Sequence, residues 1–231
     1  PKDRVKTCVA DVADPADVER ITQTALSFGR GLHTLVNNAG ILEPPSGVVD
    51  LDPALWERVV KVNLTGPFLM MKAVIPHMID AGGGSIVNIS AVAGLLGVPG
   101  QPAYCASKGG LISLSKQVAV DYGARKVRCN VICPGSIGTE MLVGNMTSFA
   151  ERLGVELETM LETFSRDIPL HRVADSSEVA GLCSFLASDD ASFITAAVIP
   201  VDGGGVVVDV SGAAINQLAT AAAGRYSVVS R

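Results

Sequence analysis

Tyr104 stands four residues before Lys108 in the stretch AYCASKGGL, residues 103–111. On a helix, side chains four apart share a face. A phenol there sits beside a fixed positive charge. A nearby ammonium favours the phenolate and lowers a tyrosine pKa from its usual value of about 10. Such a pair suits chemistry at an oxygen that must gain or lose a proton at neutral pH. The same spacing also arises on solvated helix faces, so the surrounding elements decide between the two.

Those elements alternate between strand and helix patterns. Residues 5–10 read as a strand ending at Asp11. A helix follows, with Asp14 as its cap, Pro15 at its first position and Gly29 at its close. LHTLVNNAG reads as a buried strand breaking into a glycine-ended loop. A long helix is expected from about residue 53 towards residue 79, stopped by the glycines at 82–84. SIVNIS is the next strand, and a helix over 102–122 carries Tyr104 and Lys108. VRCNVICPG is a strand with a turn. A variable region covers 136–176, with helical pieces near 156–165. Residues 177–187 read as a helix capped by Asp175 or Ser176, and AAVIPVDGG as the last strand, with VDGG as a turn.

Apolar strands alternating with helices predict an α/β fold with a doubly wound parallel sheet covered on both faces. No internal repeat or linker splits the chain, so one domain is expected over 1–204 and a tail over 205–231. Ligands on such sheets lie beyond the carboxyl ends of the strands. Asp11, the run Asn37, Asn38, Ala39, Gly40, then Ser90 with Ala91, and Pro134 with Gly135 all fall at such ends. These small and polar elements on one edge give the Tyr104–Lys108 pair a site to belong to.

Composition narrows the partners. The net charge of −5 gives no general attraction to nucleic acid or an anionic membrane, and no basic run appears. No membrane span is expected, because no stretch of 18 apolar residues occurs. The five cysteines are scattered and odd in number. Cys129 and Cys133 fall on one face of a strand, as core residues. With no ligand spacing among Cys or His, no metal is expected. The pattern fits a reducing, cytoplasmic setting. The sequence opens on Pro1 rather than Met, which leaves targeting unread.

The ordered set of motifs resembles the classical short-chain dehydrogenase/reductase family. The matching pieces are ADV at 10–12, NNAG at 37–40, VNLTGPF at 62–68, SIVNIS at 85–90, YCASK at 104–108, NVICPGSIGTEM at 130–141 and VDGG at 201–204. The resemblance implies a Rossmann-like fold and an NAD(P)-dependent oxidoreductase. Such an enzyme interconverts a secondary alcohol and a ketone by hydride transfer. It implies Tyr104 as general acid/base, Lys108 as the charge that tunes it and holds the nicotinamide ribose, and Asn63 as holder of a water in a proton relay. It places Asp11 and Val12 beside the adenine, and Asn38, Ala39 and Gly40 along the adenosine. Pro134, Gly135, Ile137 and Thr139 would flank the nicotinamide. Asn37 is read as a bridge between strands. The substrate pocket is expected from the 92–98 loop and the 140–170 segment, and a homodimer or homotetramer through the helices at 53–80 and 102–122.

Two departures qualify the resemblance. No glycine-rich phosphate loop precedes Asp11, so two strands and two helices, roughly fifty residues, are missing from the pattern. That segment also carries the ribose selector, so NAD and NADP are not distinguished. An incomplete sequence and a shortened protein both fit. A sheet opening at its third strand would expose an edge, which favours the first. The second departure is Ala91, thirteen residues before Tyr104, where the family has a serine bonded to the substrate oxygen. Ser90 is adjacent but expected on the opposite face unless the chain bulges. Ala91 predicts a slow enzyme, an unusual substrate or no turnover, and keeps open a non-catalytic scaffold or binding subunit. Ala196 also stands where glycine is usual. In the tail, VVVDV could add an edge strand, and AAINQLATAAAGR is helix-prone. A functional role there, as a subunit contact or a lid over the substrate, is weighed evenly against a loosely held tail.

Overall fold

The computed structural model describes residues 4–29 and 31–209. They form two compact units, residues 4–134 with 175–201 and residues 135–174 with 202–209.

The first unit is built on a four-stranded parallel sheet in the order β1 (Thr34–Asn37), β2 (Gly84–Ile89), β3 (Val127–Pro134), β4 (Val198–Val201). Its helices are α1 (Pro15–Phe28), α2 (Pro53–Val60), α3 (Gly66–Asp80), α4 (Pro102–Tyr122) and α7 (Ser176–Ala187). The caps follow from side chains. Asp14 Oδ1 accepts from the Ala16 and Asp17 N–H groups before α1. Asp175 and Glu178 form a reciprocal capping box at α7.

Alternation along β2 and β3 covers both faces. Ile86 and Cys129, opposite one another in the ladder, pack with Met71, Val74 and Met78 of α3 and Val118 of α4. Val87 and Ile132 point the other way and pack with Leu186 of α7. Full burial of each such side chain stabilises by about 1.5–3 kcal/mol. Truncating Ile86 to Ala would cost about 2–5 kcal/mol, because the site is closed on both sides. Cys129 and Cys133 are core residues of β3 as expected, both wholly buried.

Four expectations change. Residues 5–10 form no strand, and Val5 and Val9 stand exposed. Apolar alternation makes a strand only beside a ladder partner, and no described segment pairs with these residues. The long helix over 53–79 is broken by a π-helical turn, Lys61–Thr65, between α2 and α3. No side-chain pattern announces that turn. In the tail, Gly205–Val207 form a 3₁₀ turn rather than an edge strand. The helix-prone run after it lies outside the described residues. The combined helical run Pro53–Asp80 is long and apolar enough to cross a membrane by length and composition, contrary to expectation. Half of its most apolar window is buried here, as in a core helix.

The second unit holds α5 (Glu140–Leu153) and α6 (Leu157–Ser165). Only α6 was expected as a helix. Thr139 caps α5, and Gly154 ends it at φ 66°, a left-handed conformation that suits glycine. Asp202 accepts from the Gly204 and Val206 N–H groups, making VDGG the expected turn.

Candidate active site

Tyr104 is the third residue of α4 and Lys108 lies one turn further along. Lys108 Nζ sits 5.5 Å from the centroid of the Tyr104 ring. It also donates to the Ile89 carbonyl at the end of β2, at 2.9 Å. Lys108 is only 4% exposed and Tyr104 is half-buried, so the pair is not a solvated face. Two tight approaches fix it. Ser90 Oγ donates to the Lys108 carbonyl at 2.9 Å. A Cβ at Gly94 would lie 2.8 Å from the Lys108 carbonyl carbon, so only glycine lets that loop close on α4.

The electrostatics differ from the simple expectation. Burial pushes the Tyr104 phenol up to about 12, with smaller upward pushes from Cys105 and Glu43. Burial also lowers Lys108 to about 8, against a smaller upward pull from Cys133. The ammonium lies over the ring and bonds a carbonyl, so in this environment desolvation outweighs its pull on the phenol.

Asn63 lies within the π turn and is fully buried. Its Oδ1 accepts from Ile41 N–H and its Nδ2 donates to Ile41 O, both at 2.8 Å. Nδ2 also donates to Ser107 Oγ at 3.2 Å, and that hydroxyl donates to the Tyr104 carbonyl at 2.8 Å. The amide is committed to holding the loop after Gly40 against α4. The turn that carries it is π-helical, with Gly66 N–H reaching back to Lys61 O.

The cofactor candidates divide between the units. Asp11 binds Arg58 through Oδ2 at 3.1 Å and Ala13 N–H through Oδ1 at 2.9 Å. These bonds hold its carboxyl below the usual carboxylate range. Val12 packs where a Cβ at Gly66 would meet its Cγ2 at 3.0 Å. Asn38 and Ala39 are exposed beyond β1, and Gly40 and Pro134 are half-buried. Asn37 Nδ2 donates to Asn88 Oδ1 at 2.7 Å, the expected bridge between strands. Gly135, Ile137 and Thr139 belong to the second unit, as does the 140–170 segment. Gly135 packs there on Asp202, only 2.8 Å from where its Cβ would stand.

The residues present fit a ribose-bearing cofactor on one ground. A Cβ at Gly40 would lie 3.3 Å from Asn63 Oδ1 and 3.4 Å from Lys108 Nζ. Glycine keeps the approach to that ammonium clear, and Ile89 O takes one of its three N–H donors. A separate groove of about 490 Å³ between α3 and α4, lined by Phe68, Met71, Ile75, Leu114, Val118 and Tyr122 among others, holds neither Tyr104 nor Lys108.

Motif reading missed two residues. Ser107 links Asn63 to Tyr104, and Glu43 caps α4 from sixty residues away through its Oε1. One sequence signal was available: the residue before α4 is Gln101, which makes no side-chain cap.

The family model described as enoyl-(acyl carrier protein) reductase matches residues 2–205. The 2-(S)-hydroxypropyl-CoM dehydrogenase 3 of Xanthobacter autotrophicus is 39% identical over 84% of this chain and 74% of its own length. The levodione reductase of Leifsonia aquatica is 37% identical over 88% and 75%. The crystal structure of a levodione reductase superposes with a TM-score of 0.83 at 36% identity, over 88% of this chain and 78% of that one. A short chain dehydrogenase family protein from Francisella tularensis subsp. tularensis SCHU S4 gives 0.82 at 26% identity, over 88% and 82%. With half-buried Tyr104 packed on buried Lys108 at the end of a parallel sheet, the chain belongs to the short-chain dehydrogenase/reductase family of oxidoreductases.

Proposed function

We propose that the chain interconverts a secondary alcohol and a ketone, with Tyr104 as general acid/base. The observation that carries this reading is the buried stack of Lys108 Nζ on Tyr104, anchored at Ile89 O. NAD or NADP, when bound, supplies or accepts the hydride. Tyr104 Oη moves the proton at the substrate oxygen. Lys108 presents its remaining N–H donors towards the space beside Gly40, where ribose hydroxyls bind, and its charge favours proton loss from the phenol. Asn63 holds a water in a proton relay to Lys108. Asp11 and Val12 take the adenine, Asn38, Ala39 and Gly40 the adenosine, and Pro134, Gly135, Ile137 and Thr139 the nicotinamide. The printed names of the relatives, a hydroxypropyl-CoM dehydrogenase and a levodione reductase among them, support a small-molecule alcohol or ketone. The groove between α3 and α4, with Phe68 and Val120 exposed, supports self-association of the chain through those helices.

Calorimetric titration with NADH and NADPH, then a panel of secondary alcohols and ketones with Tyr104→Phe as control, tests the reading. Binding with turnover that Tyr104→Phe abolishes supports it. A second reading, a cofactor-binding scaffold without turnover, is favoured by Ala91, which offers no hydroxyl while that of Ser90 is committed to Lys108. Binding without turnover across the panel decides for it.

A further inference from the structure

Glu43 is a carboxylate with 1% of its surface exposed, in the loop between β1 and α2. Neither the Tyr–Lys motif nor the cofactor contacts use it. Its Oε1 accepts from Ala103 N–H at 2.9 Å and from Tyr104 N–H at 3.0 Å. Both belong to the first turn of α4, whose N–H groups have no partner within the helix. A helix frays at such an end, and Tyr104 sits on it, a full turn outside Lys108. The phenol's position therefore depends on how firmly that turn is wound. The same loop is fastened at two further points. Asn63 clamps Ile41 in both directions, and Ser46 N–H donates to Gly100 O at 2.9 Å, just before α4. Oε2 is buried without a hydrogen-bond partner among the described residues. Holding a carboxylate in this way is expensive. Its offset is the favourable meeting of an anion with two aligned N–H dipoles.

We propose that Glu43 is a positioning residue for Tyr104: its carboxylate winds the first turn of α4 from across the chain and locks that turn to the loop after Gly40. The proposal rests on Tyr104 being the proton-transferring group. The groups facing Tyr104 are Cys105 and Lys108 on its own helix and Glu43 from the loop, with Cys133 of β3 facing Lys108. Behind burial and Cys105, Glu43 also raises the phenol, so it holds the ring in place while opposing its ionisation.

Two substitutions in the full chain separate these effects. Glu43→Gln keeps an acceptor for both N–H groups and removes the charge. Glu43→Ala removes both. In Glu43→Ala, hydrogen exchange at the amides of residues 103–106 rises about tenfold while β2 and β3 are unchanged. The kcat falls about tenfold or more, with KM within about threefold, because the turn that aims the phenol is loosened. In Glu43→Gln, exchange and kcat stay near wild type. The Tyr104 phenol, followed by ¹³Cζ NMR and by the pH profile of kcat, ionises about half a unit lower. Wild-type exchange at 103–106 in Glu43→Ala, with kcat unchanged, overturns the proposal. Should Glu43→Ala fail to fold, Glu43→Asp, whose carboxylate is one methylene short of those two N–H groups, decides by the same exchange measurement. Turnover retained by Tyr104→Phe would instead overturn the functional reading, and exchange at 103–106 would still report whether Glu43 winds the turn.

Discussion

Ala91→Ser should speed the chain up, and the structure sets by how much. Ala91 is 6% exposed and extended at φ −163°, and its carbonyl accepts from Gly94 N–H at the start of a 3₁₀ turn. A hydroxyl donor aimed at developing negative charge is worth about 10²–10³ in rate, or about 2.7–4 kcal/mol. A serine here also begins a turn, where its oxygen competes for local N–H groups, and its desolvation costs about 1 kcal/mol. The balance is about 1.7–3 kcal/mol, an increase in kcat of about 20- to 160-fold. The assay is kcat at saturating cofactor on any alcohol or ketone the wild type turns over. Ser90→Ala is the control. Its hydroxyl is spent on the Lys108 carbonyl, so losing it should lower stability by about 1 kcal/mol and leave kcat within about threefold. An Ala91→Ser kcat equal to or below wild type, with cofactor affinity unchanged, refutes the reasoning. Loss of turnover in Ser90→Ala would show that the working hydroxyl had been placed on the wrong residue.

Tyr104→Phe should keep the fold and lower kcat/KM by about 10²–10⁴, read by steady-state kinetics beside circular dichroism. Lys108 titrates near 8 when folded against 10.5 when unfolded, so the unfolded chain binds more protons between those values. Lys108 therefore contributes stability that rises with pH between about 8 and 10.5. Below pH 8 the burial penalty is present in full, about 3 kcal/mol. The buried Cys129 thiol and the Tyr104 phenol, both raised to about 12, contribute the opposite slope above about pH 9. Urea melts of wild type and Lys108→Met between pH 8 and 10 subtract them, and Lys108→Met should be the more stable protein at pH 7. Ala196 lies at φ 58° with its N–H bonded to Cys129 O at 2.8 Å. Ala196→Gly should relieve about 1–2 kcal/mol of left-handed strain and return about 0.4–1 kcal/mol as unfolded-state freedom, a net gain of about 1 kcal/mol visible as a rise in Tm.

What sequence reading recovered was whatever one element carries by itself. Helix α4 begins at Pro102 and ends at Tyr122 as predicted, because its proline, its spacing and its closing glycine are local signals. The caps at Asp14 and Asp175 were legible for the same reason. What escaped depends on partners. Residues 5–10 have a strand's pattern and lack a strand's neighbour. Asn63 was readable as a site residue, but the π turn that carries it has no composition of its own. Helix α5 was hidden inside a region read as variable, with Gly144 weakening its pattern. Ala196 was legible as a departure from glycine, and its positive φ gives the departure a structural meaning. Glu43 was invisible because its two partners lie sixty residues away.

The buried thiols of β3 turn that strand into a clock. Burial pushes the Cys129 thiol up to about 12, so at pH 8 only about one molecule in ten thousand carries the reactive thiolate there. Cys8, Cys105 and Cys183 are partly accessible. A brief pulse of an alkylating reagent would mark those three first, and label reaching Cys129 or Cys133 would count the occasions on which the centre of the sheet parts.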